Sequence, residues 1–204
     1  LAAMKAQVES LGVRFLGIQA SNTDFDAIAA AFETSWQTYG RLDLLVNAAG
    51  TGVMTPFEEL TKSDVDTTID VNLKGTIYAV KLSVPYFEKT GGGNILNISS
   101  MWGEVGASCE AVYSASKGGI NAFTKAMAKE LGPSHIRVNA ISCGVIDTEM
   151  NACFSEEERQ ALADEIPLMR FGQPEEVAEL AVFLADQKAS FLTGKIITLD
   201  GGML

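Results

Sequence analysis

Short apolar runs bounded by turn residues alternate along this chain with longer segments of helical periodicity, and this alternation limits the fold more than any other feature. Five runs have the length and composition of strands: residues 14–20 (RFLGIQA), 42–47 (LDLLVN), 93–99 (GNILNIS), 136–141 (IRVNAI) and 195–199 (KIITL). Between them, residues 24–39, 61–88, 112–131 and 174–185 repeat apolar side chains at three- and four-residue spacing, as amphipathic helices do. Strand and helix in turn predict βαβ units and a parallel sheet covered on both faces. Cap chemistry supports the boundaries. Thr61 and Asp64 suit a helix start, Gly132 and Pro133 a stop, and Pro174 with Glu175 and Glu176 a first turn. The polar stretch 155–164 reads as a short surface helix over a cleft, or as a solvated connector.

With no repeat or linker to divide them, the 204 residues are expected to form a single α/β domain over 1–204. The formal charge of −11 opposes a phosphate backbone, which argues against nucleic acid. No apolar run approaches the ~20 residues of a membrane span, and the first residues lack the layout of a secretory signal, so the expected location is the cytoplasm. Cys109, Cys143 and Cys153 form no CxxC pair and have no histidine cluster, so reduced thiols are expected and no metal site. The opening LAAMKAQVESLG has the pattern of the last turns of a helix before a glycine stop. A dinucleotide-binding sheet opens with a strand, a Gly-rich turn and a helix that hold the pyrophosphate, and nothing in the chain supplies them. The expectation is that the first strand-helix-strand and its Gly-rich loop are missing from this sequence, some ~30 to 45 residues. Gly91, Gly92 and Gly93 precede a strand instead of following one, which makes them a turn.

Tyr113 and Lys117 lie four apart in YSASK within a helical segment, so their side chains leave one face about a turn apart. An ammonium beside a phenol favours the phenolate, and the pair becomes a proton donor and acceptor for a carbonyl oxygen. Ser100 closes the run GNILNISS, and the carboxyl ends of parallel strands line the crevice where such sheets bind ligands. A hydroxyl there can hydrogen-bond a developing alkoxide. The run 136–141 empties into a second tight turn, 142–148, at the same sheet edge. His135, the only histidine, sits in a turn remote from these motifs, and Trp36 belongs to a helix face.

At these residues the chain resembles the short-chain dehydrogenase/reductase family over essentially its whole length. Seven motifs occur in the family's order: Asn47, Ala48, Ala49 and Gly50; DVNLKG at 70–75; NISS at 97–100; YSASK at 113–117; RVNA at 137–140; GVIDT at 144–148; and LTG at 192–194 through DGG at 200–202. The resemblance implies a Rossmann-type doubly wound parallel sheet and an NAD(P)H-dependent oxidoreductase that reduces a ketone to a secondary alcohol. It makes Tyr113 the general acid, Lys117 the residue that lowers its pKa and holds the nicotinamide ribose, and Ser100 the residue that polarises the carbonyl. Asn72 is similar to the family asparagine that anchors a proton-relaying water. Asn47, Ala48 and Gly50 would flank the adenosine half of the cofactor, and Gly144, Val145 and Thr148 the nicotinamide carboxamide and nearby phosphate.

Departures accompany the matches. Ala48 replaces the second Asn of the family's NNAG, and Ser21 replaces an Asp that typically contacts adenine. Cys143 stands where the family usually has Pro, which loosens the turn and adds a thiol without implying cysteine catalysis. Segments 99–117 and 154–177 look like two groups within the family, the 3-oxoacyl-acyl-carrier-protein reductases and, more closely, the reductases of the 5-aminopentanone group on elongation factor P. Acyl carrier protein and elongation factor P are therefore the implied partners, NADP(H) is expected in preference to NAD(H), and a homodimer or homotetramer is implied. Trp102, Cys109 and Glu110 are the candidate substrate residues. Glu110, or else Glu104, is a candidate partner of a substrate ammonium, and the alternative is a solvated loop carboxylate. A second reading stays open, that of a non-catalytic fragment or binding module unable to hold NAD(P).

Overall fold

The computed structural model describes residues 2–152 and 154–204; Cys153, expected to be a reduced thiol, lies outside them. Helices α1 (Ala2–Ser10) and α2 (Phe25–Tyr39) precede strand β1 (Leu44–Asn47). Helices α3 (Lys62–Ile69) and α4 (Gly75–Thr90) lead to β2 (Gly93–Ser100), and α5 (Trp102–Val105) and α6 (Ala111–Leu131) lead to β3 (Ile136–Cys143). Helices α7 (Glu156–Glu165) and α8 (Pro174–Ala185) return the chain to β4 (Ile196–Leu199). The strands pair in parallel in the order β1-β2-β3-β4, each beside the next in sequence. This is the parallel sheet that the alternation predicts and the doubly wound Rossmann-type fold that the resemblance implies.

Period-two alternation within the strands divides the core between the two faces. Ile95 and Val138 pack with Val80 and Phe87 of α4 and Ala128 and Leu131 of α6. Leu96 and Ile141 point the other way, against Leu184 of α8. Helix ends follow local chemistry. Asp24 accepts from the Asp26 and Ala27 N–H groups to start α2, and Gly40, at φ 71°, ends it. Thr61 with Asp64, and Ser155 with Glu158, close capping boxes on α3 and α7. The segment 155–164 is thus a helix and not a connector.

Two expectations need correction. Residues 14–20 form no strand, because strand-like composition yields a strand only where a neighbour completes the ladder. Among the described residues no strand lies beside them, and the outer edge of β1 is unpaired. The segment 61–88 is not one helix. It is interrupted by a π-helical turn, Asp70–Lys74, with buried Asn72 at its centre. Strands β2 and β3 also run further than their sequence patterns, so that Ser100 pairs with Cys143 at the carboxyl end of the sheet.

Candidate active site

Three elements bring the reactive side chains together. Strand β2 carries Ser100 to the sheet edge, α6 presents Tyr113 and Lys117 one turn apart, and the π-helical turn directs Asn72 inward. The Ser100 hydroxyl accepts from the Trp102 N–H at 3.2 Å. It also lies within hydrogen-bonding reach of the Tyr113 phenol, whose pKa it lowers. The Lys117 ammonium donates to the Ile98 carbonyl at 2.9 Å and lies 5.6 Å from the centre of the Tyr113 ring.

Electrostatics depart from the sequence expectation. Burial raises the Tyr113 pKa above its ordinary value, outweighing the lowering by Ser100, while Glu110 and Cys143 raise it further. Lys117 is buried beside the tyrosine. Burial has brought its own pKa down to about 8, and its nitrogen is engaged with a carbonyl below the ring. Tyr113 is therefore a well-protonated acid in the free chain. Burial also pushes the Cys143 thiol up to about 11, leaving it a neutral wall of the site.

Asn72 is fully engaged. Its Oδ1 accepts from the Thr51 N–H at 2.8 Å, and its Nδ2 donates to the Thr51 carbonyl at 2.8 Å and the Ser116 hydroxyl at 3.0 Å. These bonds tie the loop after β1 to α6 beneath the site. Asn47 is likewise structural in its contacts, donating to the Asn97 Oδ1 across the ladder at 2.8 Å.

Ser100 and Tyr113 stand where two cavities meet. One, of about 460 Å³, is lined by Ala48, Gly50, Lys117, Cys143, Gly144 and Thr148 among others. The second, of about 340 Å³, is lined by Gly52, Met54, Trp102, Glu110, Val145 and Leu162 among others, and Ser100 and Tyr113 face both. The first fits the nicotinamide-riboside half of a dinucleotide. It opens at the carboxyl ends of parallel strands, where such sheets bind ligands, with Gly50 and the Lys117 ammonium on its wall. Val145, expected beside the carboxamide, lines the second cavity next to Gly144, which faces both.

Glu110 is half-buried in the second cavity, its pKa raised by burial, and no described residue pairs with its carboxylate. Cys109 is exposed, at φ 62°, and its carbonyl accepts from the Thr55 N–H; it does not line the cavity. Glu104 accepts from Ser142 and Thr198 and so faces away from the substrate side. His135 lies in an exposed turn, and Trp36 packs on Tyr86 between α2 and α4. Sequence reasoning missed Gly52, on which the Tyr113 ring rests, and Ser116, which sits one residue before Lys117 in YSASK. The spacing of that motif could have signalled the serine; nothing local signals the glycine.

Comparison with known proteins gives a consistent result. A family model described as enoyl-(acyl carrier protein) reductase matches residues 1–204. The chain is 42% identical over 182 residues to the 3-oxoacyl-[acyl-carrier-protein] reductase FabG of Thermotoga maritima, covering 89% of this chain and 74% of that protein. It is 35% identical over 202 residues to nodulation protein G of Azospirillum brasilense, covering 99% and 82%. A crystal structure described as a short-chain alcohol dehydrogenase from Sinorhizobium meliloti 1021 superposes with a TM-score of 0.94 at 33% identity, covering 99% of this chain and 81% of that one.

Proposed function

The chain belongs to the short-chain dehydrogenase/reductase family of NAD(P)-dependent oxidoreductases, and from that premise we propose that it reduces a ketone carried on a protein to a secondary alcohol, with Tyr113 as the general acid. The observation that carries this reading is the Ser100–Tyr113 pair at the junction of the two cavities. A carbonyl oxygen placed there can accept from both hydroxyls while its carbon faces the nicotinamide side.

The dinucleotide, when bound, supplies the hydride. Tyr113 gives its proton to the carbonyl oxygen as negative charge gathers on it, and the buried, protonated phenol is suited to that direction. Ser100 holds the same oxygen; its lone pair is already committed to the Trp102 N–H, which leaves its proton for the substrate. The Lys117 ammonium, below the ring, stabilises the phenolate that remains. Ala48, Gly50, Lys117 and Thr148 would hold the cofactor, and NADPH is the preferred form because the resemblance is to biosynthetic reductases.

For the substrate, the names of the relatives support an acyl-carrier-type ketone. The unpartnered carboxylate of Glu110 supports an amino-ketone such as the elongation factor P modification, since a substrate ammonium would offset the cost of that buried charge. The test is NAD(P)H oxidation with an acetoacetyl thioester, a 5-amino-ketone on a lysine peptide and a cyclic ketone. Tyr113→Phe is expected to lower ketone turnover at least ~100-fold with cofactor binding retained; full turnover in that variant refutes the assignment. Glu110→Gln is expected to impair only the amino-ketone, and equal effects on all three ketones reject the ammonium reading.

A further inference from the structure

The hydroxyl of Ser100 is held by a very short element. Its lone pair accepts from the Trp102 N–H, the first residue of α5, so any rotation of α5 moves the serine proton off the substrate oxygen. A four-residue helix has no stability of its own. Its internal bonds run only from the Glu104, Val105 and Gly106 N–H groups to the Met101 and Trp102 carbonyls. What fixes α5 must be tertiary.

Two contacts fix one side of it. Gly103 lies against the α6 backbone, where a Cβ would approach the Lys117 carbonyl carbon to 2.7 Å, and its carbonyl accepts from Asn121 at 3.3 Å. The opposite side meets the sheet through the Met101 N–H, which donates to the Cys143 carbonyl at 2.9 Å, and through one carboxylate. Glu104 Oε1 accepts from the Ser142 hydroxyl at 2.5 Å and from the Thr198 hydroxyl at 3.0 Å. Ser142 and Thr198 are partners on adjacent strands, β3 and β4, one residue before Cys143 and Leu199. The two hydroxyls thus form a rung across the sheet end, and Ser142 is fully buried. No glutamate is needed to finish a sheet, yet here one carboxylate oxygen joins β3, β4 and the turn that carries Trp102 and follows Ser100.

We propose that Glu104 is a positioning residue for carbonyl reduction: by anchoring α5 to Ser142 and Thr198 it sets the orientation of the Ser100 hydroxyl and of the Trp102 wall of the substrate cavity. This rests on the reductase reading above. Charge-assisted hydrogen bonds are the stronger kind, and a misdirected Ser100 removes an interaction that matters most in the transition state.

The test is steady-state kinetics on whichever ketone the wild-type protein reduces. Glu104→Ala is expected to lower kcat roughly tenfold, with KM for NAD(P)H unchanged. Glu104→Gln keeps an acceptor oxygen and is expected to stay within about twofold of wild type. Ser142→Ala and Thr198→Val should each lose part of the rate, and Glu104→Ala/Ser142→Ala should lose no more than Glu104→Ala alone, because both remove one interaction. Amide exchange of residues 104–106 should quicken in Glu104→Ala, a readout independent of turnover. Wild-type kcat in Glu104→Ala, an equal loss in Glu104→Gln, or a loss confined to cofactor KM would each overturn the proposal. Should Glu104→Ala fail to fold, Thr198→Val at the exposed end of the rung decides: unchanged kcat overturns it. A wild-type protein inactive on every ketone would instead sink the reductase reading itself.

Discussion

Lys117 is expected to make the folded protein less stable at neutral pH than a neutral isostere would, and Lys117→Met tests this. Lys117 is only 4% exposed, and burial has brought its pKa from the ordinary 10.5 to about 8. Because the folded state holds this proton less tightly than the unfolded chain, stability gained from Lys117 rises with pH across the interval from about 8 to 10.5, and the penalty is complete below it. At pH 7 that penalty is roughly 3 kcal/mol, and by pH 10 most of it has gone, a change of about 2–3 kcal/mol. Methionine removes the penalty at every pH but also removes the bond to the Ile98 carbonyl, at a cost of about 1–2 kcal/mol. Lys117→Met should therefore be more stable than wild type at pH 7 by about 1–2 kcal/mol and less stable at pH 10 by up to about 1 kcal/mol, while ketone turnover is lost at both. Urea unfolding of both proteins from pH 6.5 to 10 measures the difference directly. The size of the hydrogen-bond offset cancels from its pH dependence. A stability difference that stays constant from pH 7 to pH 10 would refute the reasoning, since it would mean that the lysine titrates alike in the folded and unfolded states.

Two further outcomes follow from the supporting structure. At Gly52 a Cβ would approach the Tyr113 ring to 3.0 Å, so Gly52→Ala should displace the phenol and cut kcat by about tenfold or more with little change in melting temperature, measured by kinetics beside thermal unfolding. Asn72→Ala leaves the half-buried Thr51 N–H without its partner and cuts the tie to Ser116, and it should cost about 1–3 kcal/mol in urea unfolding; an unchanged midpoint would show that the tie carries no load.

Much of the architecture was legible because it depends on neighbours in sequence. The apolar periods of 24–39, 112–131 and 174–185 marked α2, α6 and α8 to within a residue or two, and Thr61 with Asp64 caps α3 through bonds spanning three residues. The four-residue spacing of Tyr113 and Lys117 fixed their common helix face, and the end of β2 fixed Ser100 at the sheet edge. Elsewhere local pattern misled. The run 14–20 has strand composition but no ladder, and the continuous helical period of 61–88 conceals the π-helical turn that aims Asn72, because one extra residue in a turn leaves almost no trace in hydrophobic spacing.

What only the tertiary structure decided involves partners far apart in the chain. Residues 38 and 94 positions away hold Glu104, so its local setting in WGEV gives no hint of what it grips. Val145 and Thr148, three residues apart in one loop, face different cavities. The ionisation of the site was equally hidden: a lysine one turn from a tyrosine predicts an acidified phenol, yet burial raises the phenol and lowers the amine. Sequence spacing fixes which groups meet along a helix, whereas the free energy of a charge depends on how much water the whole fold removes from around it.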